Sequence, residues 1–128
     1  LLGNLQKGKD IVYNGKKIKV KNATLLIPGK KITYITDTLV NNNCVKAAKN
    51  ADILICESTF SGELKNKARE YMHLTASDAA NIAKKAKVGK LYLTHFSQRY
   101  RNVDNFGREG KKIFRNLIIA KDFMEVRL

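Results

Sequence analysis

Three short apolar runs constrain this chain more than any other feature: Ile32 to Thr36 (ITYIT), Asp52 to Cys56 (DILIC) and Lys90 to Thr94 (KLYLT), with helical patterns between them. Runs of this length, rich in β-branched and apolar residues, suit strands, Asp52 to Cys56 being of the buried type, and strands that alternate with helical patterns read as βαβ units. The expected fold class is therefore α/β, with helices layered on a sheet.

The connecting segments support that reading. Cys44 to Asn50 is a short helical piece, so that strand, helix and strand open a βαβ unit. Glu63 to Met72 holds good helix formers without a breaker. The next helix has a clear start: Thr75 stands at the cap, Asp78 three residues later completes a capping box, and Gly89 follows as a stop. Its face of Ala76, Ala79, Ala80, Ile82, Ala83 and Ala86 permits close approach to a sheet, while Lys84, Lys85 and Lys87 face water. Phe106 to Phe114 reads as a short helix, and Leu117 to Ala120 with Met124 to Leu128 as a closing strand pair. The first thirty residues read as short antiparallel strands: Asp10 to Tyr13 and Lys17 to Val20 flank the Asn14-Gly15 hairpin turn, and Leu25 to Ile27 leads to Pro28-Gly29.

Charge narrows the partner. Lys and Arg number 25 against 11 Asp and Glu, for a net charge of +14, which points to a polyanion such as nucleic acid. Surface lysines that only solvate the fold are the plain alternative. Cys44 and Cys56 form no CxxC pair and no secretory signal precedes them, which fits a reducing, cytoplasmic setting and no cysteine-based zinc site. No apolar run approaches the ~20 residues that span a bilayer, so no membrane partner is expected.

The chemistry gathers at the strand ends. The first run ends at Asp37, the second at Glu57 and the third at His95, while His73 lies just before the capped helix. Parallel neighbours would bring these groups to one edge of the sheet, where open α/β sheets bind ligands. Two carboxylates and two imidazoles suit a metal-dependent hydrolytic site. Taken singly, each has a plainer role: Asp37 ending a strand, Glu57 pairing with a lysine, His73 sitting beside a helix cap. Their convergence gives the set its weight.

The blocks TYITDT (33 to 38), ADILICEST (51 to 59), HLTASDAANIAKKAK (73 to 87) and LYLTHFSQRY (91 to 100) resemble, in order and spacing, the C-terminal half of the ribonuclease Z family. These are tRNA 3′-processing endoribonucleases of the metallo-β-lactamase superfamily, and the Lys-rich character is similar to archaeal members. The resemblance implies half of an αββα sandwich, with residues 1–128 forming a single partial domain. It implies Asp37 as the carboxylate bridging two zinc ions, His95 as a terminal zinc ligand, His73 as the non-ligand acid and Glu57 as the group orienting it. Ser97, Arg99 and Tyr100 match the segment after the zinc-binding histidine, with Arg99 suited to bidentate phosphate contact. The implied reaction is in-line hydrolysis of a precursor tRNA phosphodiester by a zinc-activated water.

The chain also departs from the family. The HxHxDH signature is missing, Cys56 stands where the family carries histidine, and the tRNA-binding arm has no counterpart. With Leu1 beginning abruptly, the reading expects a C-terminal fragment, inactive alone, whose uncovered sheet face favours a homodimer or a further chain supplying the other half. Two alternatives stay open. One is another hydrolase of the superfamily, a phosphodiesterase or a sulfatase-like enzyme; the other is a non-catalytic basic module that binds RNA or a subunit.

Overall fold

A computed structural model describes residues 1–128. Its first third is built around the Asn14-Gly15 turn, where both residues take positive φ (47° and 71°) as a two-residue hairpin of this hand requires. The turn joins β1 (Ile11–Tyr13) to β2 (Lys16–Ile18) in antiparallel register, Ile11 opposite Ile18. The expected strands are thus present but shorter. Helical turns flank them, α1 (Leu2–Gln6) before and α2 (Val20–Ala23) after, where only strands were expected. The second strand stops early because the Val20 N–H donates to the Asp10 carboxylate at 3.0 Å, turning the chain into α2. Leu25 to Ile27 is a further correction: it forms no strand, and its side chains are exposed because no neighbouring edge offers its backbone a ladder.

The remaining elements follow the βαβ expectation. They are β3 (Ile32–Ile35), α3 (Asn42–Ala48), β4 (Ile53–Glu57), a 3-10 turn (Gly62–Leu64) running into α4 (Lys65–Glu70), α5 (Ala76–Ala86), β5 (Lys90–Thr94), α6 (Asp104–Lys111) and β6 (Leu117–Ile119). The last four strands form one parallel sheet in the order β3-β4-β5-β6. All their carboxyl ends therefore share one edge.

Local chemistry explains the helix limits. Asn41 starts α3 by accepting the N–H groups of Asn43 and Cys44 at its Oδ1. Thr75 and Asp78 form the capping box of α5. That helix ends at Lys87, which takes the left-handed conformation (φ 54°), so Gly89 is not the stop. Gly89 is needed for close approach: a Cβ there would lie 2.7 Å from the Asp52 carbonyl oxygen.

The sheet has two unlike faces. On one, Leu54, Cys56, Leu91, Leu93 and Leu117 pack under α3, α5 and α6 with Leu74, Ile82, Phe106 and the alanines of α5. The alternate residues, Ile53, Ile55 and Tyr92, point to the other face, where Ile32 and Tyr34 on edge strand β3 are exposed. The expected strand pair at the C-terminus is corrected here: Met124 to Leu128 is not a strand. The chain turns at Phe123 (φ 60°), and Met124, Val126 and Leu128 lie beside Ile53, Ile55 and Tyr92 on this second face.

Candidate metal centre

Asp37 and His95 each follow a strand by one or two residues and hold left-handed backbone, φ 51° and 58°. Such conformations are uncommon outside glycine and cluster at functional sites. They turn the chain sharply at the carboxyl edge of the sheet. His73 arrives from α4, whose end is fixed by its own N–H donating to the Ala68 carbonyl at 2.8 Å, with Met72 also left-handed (φ 59°). Potential ligand atoms of Asp37, His73 and His95 consequently lie within 4.8 Å of one another. The Asp37 Oδ1 is 3.8 Å from both His73 Nδ1 and His95 Nε2.

Beneath this trio sits Glu57, the last residue of β4 and fully buried. Its Oε1 accepts the Thr38 N–H at 2.9 Å, which anchors the loop carrying Asp37. Its Oε2 accepts the Thr59 hydroxyl at 2.6 Å and lies 2.9 Å from His73 Nδ1. A carboxylate only accepts, so Nδ1 of His73 is the donor. Thr59 Oγ1 in turn lies 2.8 Å from His95 Nδ1. One buried carboxylate thus ties down all three members of the trio, and no buried side-chain polar atom is left without a partner.

Thr59 was not singled out from the sequence. Its signal was its place two residues after Glu57 in CEST, within a segment already marked. Glu109 was missed too: from α6 it accepts the N–H groups of Gly62 at 2.9 Å and Ser77 at 3.1 Å and the Ser77 hydroxyl, pinning the start of α5. Cys56 points away from the trio into the helix-covered core, where burial pushes its thiol well above the ordinary range, so it stays an inert apolar side chain.

The segment after His95 docks on the same strand end. The Ser97 N–H donates to the Thr59 carbonyl at 3.0 Å, and the exposed Arg99 guanidinium lies 5.4 Å from the Phe60 ring centre. The Tyr100 hydroxyl accepts the Ser61 N–H at 3.1 Å, and its ring meets Phe106 edge-on. Tyr100 is therefore engaged within the fold, whereas Arg99 keeps its charge open to solvent.

The donor set is one carboxylate and two imidazoles, which suits zinc or a similar borderline divalent ion. Asp37 and His95 fit such an ion as ligands. His73 has Nδ1 committed to Glu57, leaving Nε2 as its free position.

Comparison with known proteins shows the family and the fold. Residues 9–96 match the family described as beta-lactamase superfamily domain. Ribonuclease Z of Protochlamydia amoebophila is 39% identical over 124 residues, covering 97% of this chain and 40% of that protein. Ribonuclease Z of Archaeoglobus fulgidus is 39% identical over 133 residues, covering 100% of this chain and 42% of that protein. The chain therefore spans about two fifths of the length of these curated relatives. Among solved structures, the metallo-β-lactamase-fold protein YhfI from Bacillus subtilis superposes with a TM-score of 0.65 at 31% identity, over 70% of this chain and 36% of that one. The short form of human tRNase Z gives 0.59 at 35% identity, over 75% and 32%. The α/β sheet described above is a partial piece of that fold.

Proposed function

The chain belongs to the beta-lactamase superfamily domain family, and from that premise we propose that it is the C-terminal half of a metal-dependent endoribonuclease that cuts precursor tRNA on the 3′ side. The observation that carries the proposal is how Glu57 treats the two imidazoles: it meets His73 directly at Nδ1, while His95 reaches it only through Thr59 and keeps Nε2 toward Asp37. That difference supports reading His73 as a proton donor and Asp37 with His95 as a ligand pair.

In this reading Asp37 and His95 would hold zinc, which when bound would supply an activated water and neutralise charge on phosphate. Hydrolysis would join the water oxygen to phosphorus, its proton released to solvent, as the bond from phosphorus to the 3′ oxygen of the tRNA body breaks. His73 delivers a proton from Nε2 to that departing oxygen, and the Glu57 contact keeps the ring turned for the transfer. Arg99, exposed beside the site, pairs with phosphate, and Ser97 and Tyr100 shape the segment that presents it. A net charge of +14 suits the polyanionic substrate and makes binding fall with salt.

Residues 1–128 constitute one partial domain whose remaining ligands belong to the HxHxDH half, supplied by the same polypeptide or by another chain. The incompletely covered sheet face supports self-association as a homodimer. No helix is long and apolar enough to cross a membrane, and the two cysteines are free, which is compatible with a cytoplasmic enzyme.

The test supplies the chain with an HxHxDH-bearing half and zinc and assays labelled precursor tRNA. A single cut 3′ of the tRNA body is expected, and His73→Ala lowers turnover by about 10²- to 10⁴-fold with bound zinc unchanged. Hydrolysis of a bis-aryl phosphate without cleavage of precursor tRNA would move the substrate elsewhere in the superfamily.

A further inference from the structure

We propose that Thr59 is a positioning residue that sets the tautomer of His95, holding the hydrogen on Nδ1 and leaving Nε2 bare toward Asp37. As a statement about catalysis it rests on the reading of His95 as a metal ligand; as a statement about proton placement it stands on hydrogen-bond geometry alone.

A threonine hydroxyl has one hydrogen to give and lone pairs to accept with. Thr59 Oγ1 lies 2.6 Å from Glu57 Oε2 and 2.8 Å from His95 Nδ1. If the hydroxyl donated to His95, two oxygens with no hydrogen between them would face each other at 2.6 Å inside a buried site, one of them a carboxylate oxygen. That arrangement is repulsive where burial makes it most costly. The hydroxyl therefore donates to Glu57 and accepts from His95, so Nδ1 of His95 carries the hydrogen.

The consequence falls at the other ring nitrogen. Nε2 of His95 lies 3.8 Å from Asp37 Oδ1, on the side where the trio converges. With its lone pair free, Nε2 is ready for a metal without a change of tautomer or ring flip. Metal-binding histidines commonly donate their second N–H to a carboxylate or carbonyl, which fixes orientation and raises ligand basicity. Here the carboxylate acts through a hydroxyl relay, His95 to Thr59 to Glu57. The same Oε2 receives His73 directly, so one oxygen orients both imidazoles by different routes.

Thr59 is 7% exposed and its hydroxyl bonds only Glu57 and His95, which makes orientation the role these contacts support. Thr59→Val preserves shape and removes the relay. Thr59→Ser preserves the relay and loses a methyl.

Long-range ¹H–¹⁵N correlation spectra of the full chain, recorded without metal at a pH where both rings are neutral, read the tautomers directly. The two histidines are separated by a His73→Gln spectrum. The expected result is a protonated-type Nδ1 and a bare-type Nε2 for His95, lost toward a tautomer mixture in Thr59→Val and kept in Thr59→Ser. Zinc titration adds the second readout: Kd weakens about 10- to 100-fold in Thr59→Val, the range seen for outer-sphere partners, and stays near the native value in Thr59→Ser. A native His95 protonated at Nε2 overturns the proposal before any variant is made. An unchanged tautomer in folded Thr59→Val overturns it as well. Neither failure touches the hydrolase reading, which instead fails if the tautomer is as stated and the completed protein cleaves no phosphodiester.

Discussion

Replacing Glu57 with glutamine keeps the shape of the side chain and removes one of its two acceptor oxygens. Native Glu57 is fully buried and receives Thr38 N–H on one oxygen, and Thr59 hydroxyl and His73 Nδ1–H on the other. Glutamine has a single carbonyl oxygen, so in its better orientation the amide NH₂ opposes the Thr38 N–H, two donors face to face. An unpaired buried donor costs about 1–3 kcal/mol, and the two remaining bonds fall from charged to neutral strength at about 1 kcal/mol each. Relief of carboxylate burial offsets part of the sum, leaving a net loss of roughly 2–4 kcal/mol. At roughly 4 °C per kcal/mol for a chain of this size, the melting midpoint should drop by about 8–16 °C. Urea and thermal unfolding followed by circular dichroism measure both. A Glu57→Gln chain within about 0.5 kcal/mol of native, the range of an ordinary surface change, would refute the idea that this carboxylate organises the site.

Three further outcomes are expected. Gly89→Ala places a methyl 2.7 Å from the Asp52 carbonyl oxygen, with backbone on both sides, so urea unfolding should show a loss of about 1–3 kcal/mol; no loss would mean the strands can part there freely. The Asp52 carboxyl lies below its ordinary 3.8, first because it accepts the Lys31 amide N–H at 2.8 Å and then through the Lys30 ammonium. Its folded value is depressed, so its stabilising effect is present above about pH 4 and disappears as pH falls through that lowered value; the urea-midpoint gap between native and Asp52→Asn should close below pH 4, and a gap that widens in acid would contradict this. The exposed Ile32 and Tyr34 of edge strand β3, with Leu25 to Ile27 nearby in the chain, predict concentration-dependent association in light scattering; a strict monomer at millimolar concentration would count against it.

The parts of the fold that could be read in advance are those decided locally. Asn14-Gly15 dictates its own backbone, Thr75 and Asp78 cap their helix within four residues, and ILICE and KLYLT carry their burial in their composition. The carboxyl-edge grouping of Asp37, Glu57 and His95 followed from strand polarity alone, and His73 joined it through the helix that follows. Leu25 to Ile27 and Met124 to Leu128 were misread for one shared reason. A strand exists only against a partner, and an apolar run does not reveal whether an edge is free to receive it. Thr59 and Glu109 escaped for a different one: a hydroxyl or carboxylate acquires its role from what packing brings within 3 Å, and neither spacing nor periodicity encodes that.

The central claim is that the trio divides into two ligands and one proton donor, and zinc binding tests it most directly. Isothermal titration of the native chain, Asp37→Asn, His95→Ala and His73→Ala compares the three residues under one condition. The account predicts one weak zinc site in the native chain, its loss in Asp37→Asn and in His95→Ala, and its retention in His73→Ala with a Kd near native. Loss of zinc in His73→Ala, or binding that survives removal of both Asp37 and His95, would contradict it.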